Sequence, residues 1–159
     1  MASDLKFYYT GGASNSDPDA SLGGVGSSVQ ITDPAINNLF DNVEPTETVG
    51  QDNVDYRALD LKNIGDALAA AIEFFFLPTD NTESELAVWF DATGTQTIVD
   101  EDTEPSGAAG NWTEPIEAAK LSLGDLAAAA KHRLWIRRTV NQSAGNYTAD
   151  TATMYIWFS

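Results

Sequence analysis

"YRALDLKN", residues 56–63, is the stretch on which the fold turns. Tyr56, Ala58, Leu59 and Leu61 alternate with Arg57, Asp60 and Lys62. This is the period-2 rhythm of a strand, whose successive side chains point to opposite faces. One slip, Ala58 beside Leu59, fits a β-bulge. Outward from here, "AIEFFFLP" (71–78), stopped by Pro78, "ELAVWFDATG" (85–94), closed by an Ala-Thr-Gly turn, "HRLWIRRTV" (132–140) and "ATMYIWFS" (152–159) are rich in β-branched and aromatic residues. Five such strands separated by polar turns predict an all-β protein, an antiparallel β-sandwich of Ig-like or jelly-roll-like type. "SSVQIT" (27–32) is a further short strand candidate. "PAINNLFDNV" (34–43) spaces Ile36, Leu39, Phe40 and Val43 as one helical stripe, so at most one or two short helices are expected.

Two segments pull the other way. "GDALAAAIEFFF" (65–76) and "GDLAAAAKHRLW" (124–135) each place an Ala-rich run after a capping Asp, and by propensity both are helical. Each run is too short for an independent helix and flows straight into a β-rich segment. The reading is therefore an extended entry with a short turn.

The 159 residues suit one domain, and 43% apolar residues suit a folded one. Eight Lys and Arg against 24 Asp and Glu leave a net charge of −16. Such a surface repels phosphate backbones, so direct nucleic-acid binding is not expected. The absence of cysteine removes disulfides, thiolate metal sites and thiol nucleophiles, and fits a reducing compartment. "MASDLKFYY" lacks the basic and apolar regions of a signal peptide, and the apolar runs are too short for a membrane helix.

The opening stretch "FYYTGGASNSDPDASLGG" (7–24) follows three aromatics with residues that offer little to bury. Residues 1–24 are read as an extended N-terminal arm, anchored on a partner by Phe7, Tyr8 and Tyr9, and residues 25–159 as the sandwich. Asn15, Asp17 and Asp19 have the spacing of a calcium loop. The match fails at Ala20, where the turn needs Gly, and at Gly26, where a carboxylate is needed. The cluster Asp100, Glu101, Asp102 and Glu104 reads as a solvated loop. His132 is the single histidine, with no G-x-S-x-G elbow in the chain. No catalytic residue, cofactor or metal is assigned, and the chain is read as non-enzymatic. Arg137 and Arg138, adjacent and so on opposite faces of a strand, are candidates for a local ion pair or an inter-subunit salt bridge.

Taken in order, "DLKFYYTGGASNSDPDASLGG" (4–24), "NNLFDNV" (37–43), "YRALDLKN" and "LWIRRTV" (134–140) resemble structural proteins of tailed bacteriophages. The resemblance implies a virion component made in the host cytoplasm. The favoured role is a capsid decoration (cement) protein that trimerises on the outer capsid surface and clamps the major capsid protein. Neck, tail or fibre-attachment roles are alternatives. So is a carbohydrate-binding module, for which Trp89, Trp112 and Trp157 are the candidate aromatics.

Overall fold

The computed structural model describes residues 2–32, 39–41, 43, 49–78, 84–144 and 152–159. Among them are eight strands and no helix: β1 (Leu5–Thr10), β2 (Gly26–Gln30), β3 (Asn53–Asn63), β4 (Ala69–Pro78), β5 (Ser84–Asp91), β6 (Leu121–Leu126), β7 (Lys131–Val140) and β8 (Ala152–Trp157). They form two antiparallel sheets, five strands ordered β2-β1-β3-β7-β5 and three ordered β6-β4-β8, consistent with a β-sandwich. The helix expected over residues 34–43 falls largely outside the described residues. Leu39 is buried in the core and Phe40 packs against it.

The main core lies between the sheets. Leu59 and Leu61 of β3 and Leu134 and Ile136 of β7 meet Ile72, Phe74 and Phe76 of β4 and Leu123 of β6. Phe74 and Phe76 pack edge to face at 4.9 Å, a favoured aromatic geometry. A second cluster, Tyr56, Ala58, Trp135 and Ile98, sits on the opposite face of the large sheet, with Leu22, Trp89 and Trp112 packed on it. The five-stranded sheet is thus covered twice, by the small sheet and by loops. This corrects the bulge expected at Ala58-Leu59. β3 pairs with β7 from Asn53↔Val140 to Lys62↔Lys131 without a shift, and both residues are apolar because both faces are buried.

The opening aromatics are corrected as well. Residues 5–10 are not an arm but strand β1, seated between β2 and β3 with Phe7 opposite Leu61 and Tyr8 opposite Asp60. Phe7 reaches the core edge-on to Phe74, at 6.4 Å. Tyr9 is buried, and Tyr8 lies under the Lys62 ammonium at 4.2 Å. The low apolar content of residues 11–24 reflects a loop held by hydrogen bonds. Ser21 Oγ donates to the Ala58 carbonyl (2.6 Å) and accepts from the Thr10 amide (2.9 Å). Gly23 holds φ +90°, and a Cβ there would sit 2.2 Å from the Gln96 carbonyl oxygen and 2.7 Å from the Trp135 ring.

The Ala-rich segments are extended entries and turns. Ala71 has φ 48° where the register of β4 with β6 shifts, and its amide donates to Asp125 Oδ1 (2.9 Å). Ala129, φ 60°, lies in the turn closed by the Ala130 amide on the Ala127 carbonyl (3.1 Å). Alanine reaches these left-handed angles only at some strain, so tertiary contacts overrule helix propensity here.

Candidate functional site

Arg57 and Arg138 are set by the register of β3 and β7, whose sandwich-facing positions at one end of the sheet also include Asp55. Arg57 is fully buried. Its NH2 donates to Asp19 (3.0 Å) and to Glu101, and lies 3.9 Å from Asp41. Arg138 bonds Asp55 through Nε (3.2 Å) and NH2, and its NH1 donates to the Asp41 carbonyl (2.6 Å). Both guanidiniums lie over the Phe40 ring, at 5.7 and 4.8 Å. Two arginines therefore bring residues of three loops onto the sheet. Burial pushes the Asp55 carboxyl above its ordinary range, outweighing the hydrogen bond and charge of Arg138.

The carboxylates of Asp19, Asp41 and Glu101, and of Asp55, Glu101 and Asp102, lie within 4.8 Å of one another in each group. Oxygen-only sets of this kind suit a hard divalent cation. Arg57 bonds or closely approaches all three members of the first group, and Arg138 bonds Asp55 of the second, so guanidinium charge already answers the carboxylates. The calcium-like spacing at Asn15, Asp17 and Asp19 serves the loop itself. The Asp17 amide donates to Asn15 Oδ1 (3.0 Å) and the Asp19 amide to Asp17 Oδ1 (3.1 Å), both Asx turns.

Arg137 points to the other face, over the Trp112 ring at 5.2 Å and 3.8 Å from Glu114. Trp112 Nε1 donates to Glu104 (2.7 Å), which ties down one member of the acidic cluster. Thus Phe7, Tyr8, Arg137 and Arg138 all have partners within the chain, and Tyr9 is buried in it. His132 stands edge-on to Phe90 at 4.8 Å. Burial draws its pKa down, against a backbone hydrogen bond at Asp125.

The surface that the site residues read from sequence largely missed is the outer face of the small sheet. Glu73, Phe75 and Leu77 of β4 stand beside Trp157, Tyr155 and Thr153 of β8. Leu77, Tyr155 and Trp157 are 43, 39 and 49% exposed. Phe75 is buried beneath them, stacked on Tyr155 at 5.1 Å and 12° and edge-on to Trp157 at 6.0 Å. Lys120 covers Trp157 at 4.3 Å and lies 3.7 Å from Glu73, so the carboxylate beside Trp157 is balanced. An open groove lined by Phe76, Leu77, Ile116, Glu117 and Ala118 continues the apolar surface. Trp157 was a sequence candidate. Tyr155 and Leu77 carried a signal too, since in alternating strands every second large apolar residue must face away from the core. Trp89 and Trp112, the other candidates, pack over Ala58 and Trp135.

This arrangement offers an apolar docking surface on the small sheet. Compared with protein-family models, curated proteins and solved structures, the chain finds no match.

Proposed function

We propose that this chain is a non-enzymatic virion structural protein that decorates a bacteriophage capsid, seating the outer face of its small sheet on the major capsid protein. The observation that supports this reading is the aromatic face of Leu77, Tyr155 and Trp157 over Phe75, a contiguous apolar surface on a chain of net charge −16. Exposed apolar patches rimmed by polar residues mark interaction sites. The ordered set of motifs that resemble tailed-phage structural proteins supports the major capsid protein as the partner. A decoration protein needs adhesion repeated over a lattice, and many modest contacts then hold firmly.

The test is occupancy on purified particles. Tyr155→Ser with Trp157→Ser removes two half-exposed aromatics, each worth about 1.5–3 kcal/mol if fully covered. At about 3 kcal/mol in total, affinity falls ~100-fold or more. The double variant should keep its circular dichroism spectrum and leave particles bare. Full occupancy by the folded variant would overturn the reading.

Carbohydrate binding is a second reading of the same face. It is favoured by Tyr155, which lies flat on Phe75 and remains 39% exposed, as a sugar-stacking platform does. Glycan-array binding abolished by Tyr155→Ser, with no particle binding by the wild type, would select it.

A further inference from the structure

We infer that β8 pairs edge to edge with β8 of a second copy, joining two three-stranded sheets into one continuous sheet. The argument begins with the fate of each sheet edge. An exposed edge strand offers unpaired amides and carbonyls to any other strand, and natural proteins blunt such edges with charge, proline, bulges or a covering loop.

Among the described residues, three of the four sheet edges are blunted. On β2 the Ser28 amide donates to the Ala13 carbonyl (2.9 Å) and the Val29 amide to Ser27 Oγ (2.9 Å). On β5 the amide and carbonyl of Val88 are both taken by Thr113 (2.7 and 3.0 Å). On β6 the register is irregular, Gly124 adopts φ 74°, and Asp125 places a charge in the strand.

Among the described residues, β8 has none of these devices. Its register with β4 runs unbroken from Glu73↔Trp157 to Pro78↔Ala152. Residues 152–159, "ATMYIWFS", contain no charge, no proline and no glycine. Among the described residues, β4 is its only strand neighbour and no loop closes its other edge.

Charge selects the occupant. A basic partner would gain most at the carboxylates elsewhere on a chain of net charge −16. This edge is neutral, and Glu73 beside it is balanced by Lys120. At the edge itself a neutral strand meets another neutral strand without like-charge repulsion, and a second copy supplies one, the net charge of −16 on each chain being screened by salt beyond about 8–10 Å. Antiparallel pairing of a strand with itself is twofold, with the same patch on both partners. With the axis perpendicular to the sheet, the outer rows of both copies lie on one side. Tyr155 and Trp157 then form one double-sized aromatic platform. Such a pair could seat two faces on a surface at once, yet its formation does not depend on the capsid reading.

Sedimentation velocity of the full chain across the micromolar to millimolar range tests the inference. The wild type is expected at twice the 17.0 kDa chain mass. Thr153→Lys and Tyr155→Lys, each placing a cation on the exposed side of β8, should reduce it to one chain mass with unchanged circular dichroism. Glu85→Lys, on the blunted β5 edge, should leave the dimer intact. If Tyr155→Lys fails to fold, Thr153→Lys alone decides. A wild type that stays monomeric at millimolar concentration would overturn the inference. So would a dimer, or the trimer that the phage resemblance implies, whose mass neither lysine changes. A lysine-sensitive dimer that fails to bind particles would sink the capsid reading and leave this one standing.

Discussion

Removing the Asp60 carboxylate should be among the most costly single changes in the sheet. Asp60 and Arg133 face each other across β3 and β7, both with fully buried side chains, Nε to Oδ1 at 2.6 Å. Lys131 Nζ holds Oδ2 at 2.7 Å, and Arg133 NH2 donates to the Gly24 carbonyl at 2.9 Å. In Asp60→Ala the guanidinium keeps that one carbonyl while its NH1, already without a partner among the described residues, stays buried. Removing one member of a buried pair costs about 3–5 kcal/mol, because the surviving charge is stranded away from water. Lys131, with 41% of its side chain exposed, is screened by solvent and adds little. Against a typical total stability of about 5–15 kcal/mol, the loss is a large fraction. It corresponds to a fall in melting temperature on the order of 10 °C. Urea unfolding read by tryptophan fluorescence suits the measurement, since buried Trp135 lies opposite Ala58 in the same ladder. Asp60→Leu combined with Arg133→Met removes both charges and should recover most of the loss. The reasoning is refuted if Asp60→Ala unfolds at the wild-type midpoint, or if the double variant is no better than the single one.

Two further outcomes follow from the same structure. Asp91 is buried, which raises its pKa, but hydrogen bonds from the Thr93 hydroxyl and the Gln96, Gly94 and Thr93 amides more than reverse this, so the carboxyl titrates below its ordinary range. A depressed carboxyl stabilises the fold above its unfolded pKa of about 3.9, and the contribution is lost as pH falls through the folded value. The urea midpoints of wild type and Asp91→Asn should therefore differ at pH 7 and converge in acid. Replacing Phe7, Tyr8 and Tyr9 together by Ser should unfold the free protein, since Phe7 alone, a core-packed aromatic, is worth about 3 kcal/mol or more. A native circular dichroism spectrum in that triple variant would return these residues to the role of a detachable arm.

What the sequence made legible follows from burial on one face or two. β4, β5, β7 and β8 announce themselves through β-branched and aromatic runs, and the strand reading of the Ala-rich segments rests on their being too short to stand as helices. β1 and β6 were harder. "LKFYYT" was masked by the Gly- and Ser-rich loop that follows it, and "LSLGDL" carries a glycine and a charge inside a six-residue strand. In β3 the buried charges Asp55, Arg57 and Asp60 imitate the solvent-facing half of an alternating strand, although each is buried against a partner from elsewhere in the chain. No local pattern shows that Arg57 will meet Asp19 and Glu101, because that meeting depends on which loops the sheet gathers. The same limit hid the Tyr155 platform, since alternation tells which residues share a face but not which face is left uncovered.

The strand order of the large sheet also dictates when it can form. β3 takes its neighbours from residues 5–10 on one side and 131–140 on the other. As the chain leaves the ribosome, β1 waits for β3, and β3 has only half its ladder until more than a hundred residues have been made. Such long-range pairing places the protein among slow folders, in the millisecond-to-second range, with the aromatic run of β4 exposed in the meantime. During that interval the surplus of carboxylates acts on the nascent chain as it later does on the finished molecule. It holds unfinished copies apart at the stage when a neighbouring strand would be most readily mistaken for the one still to come.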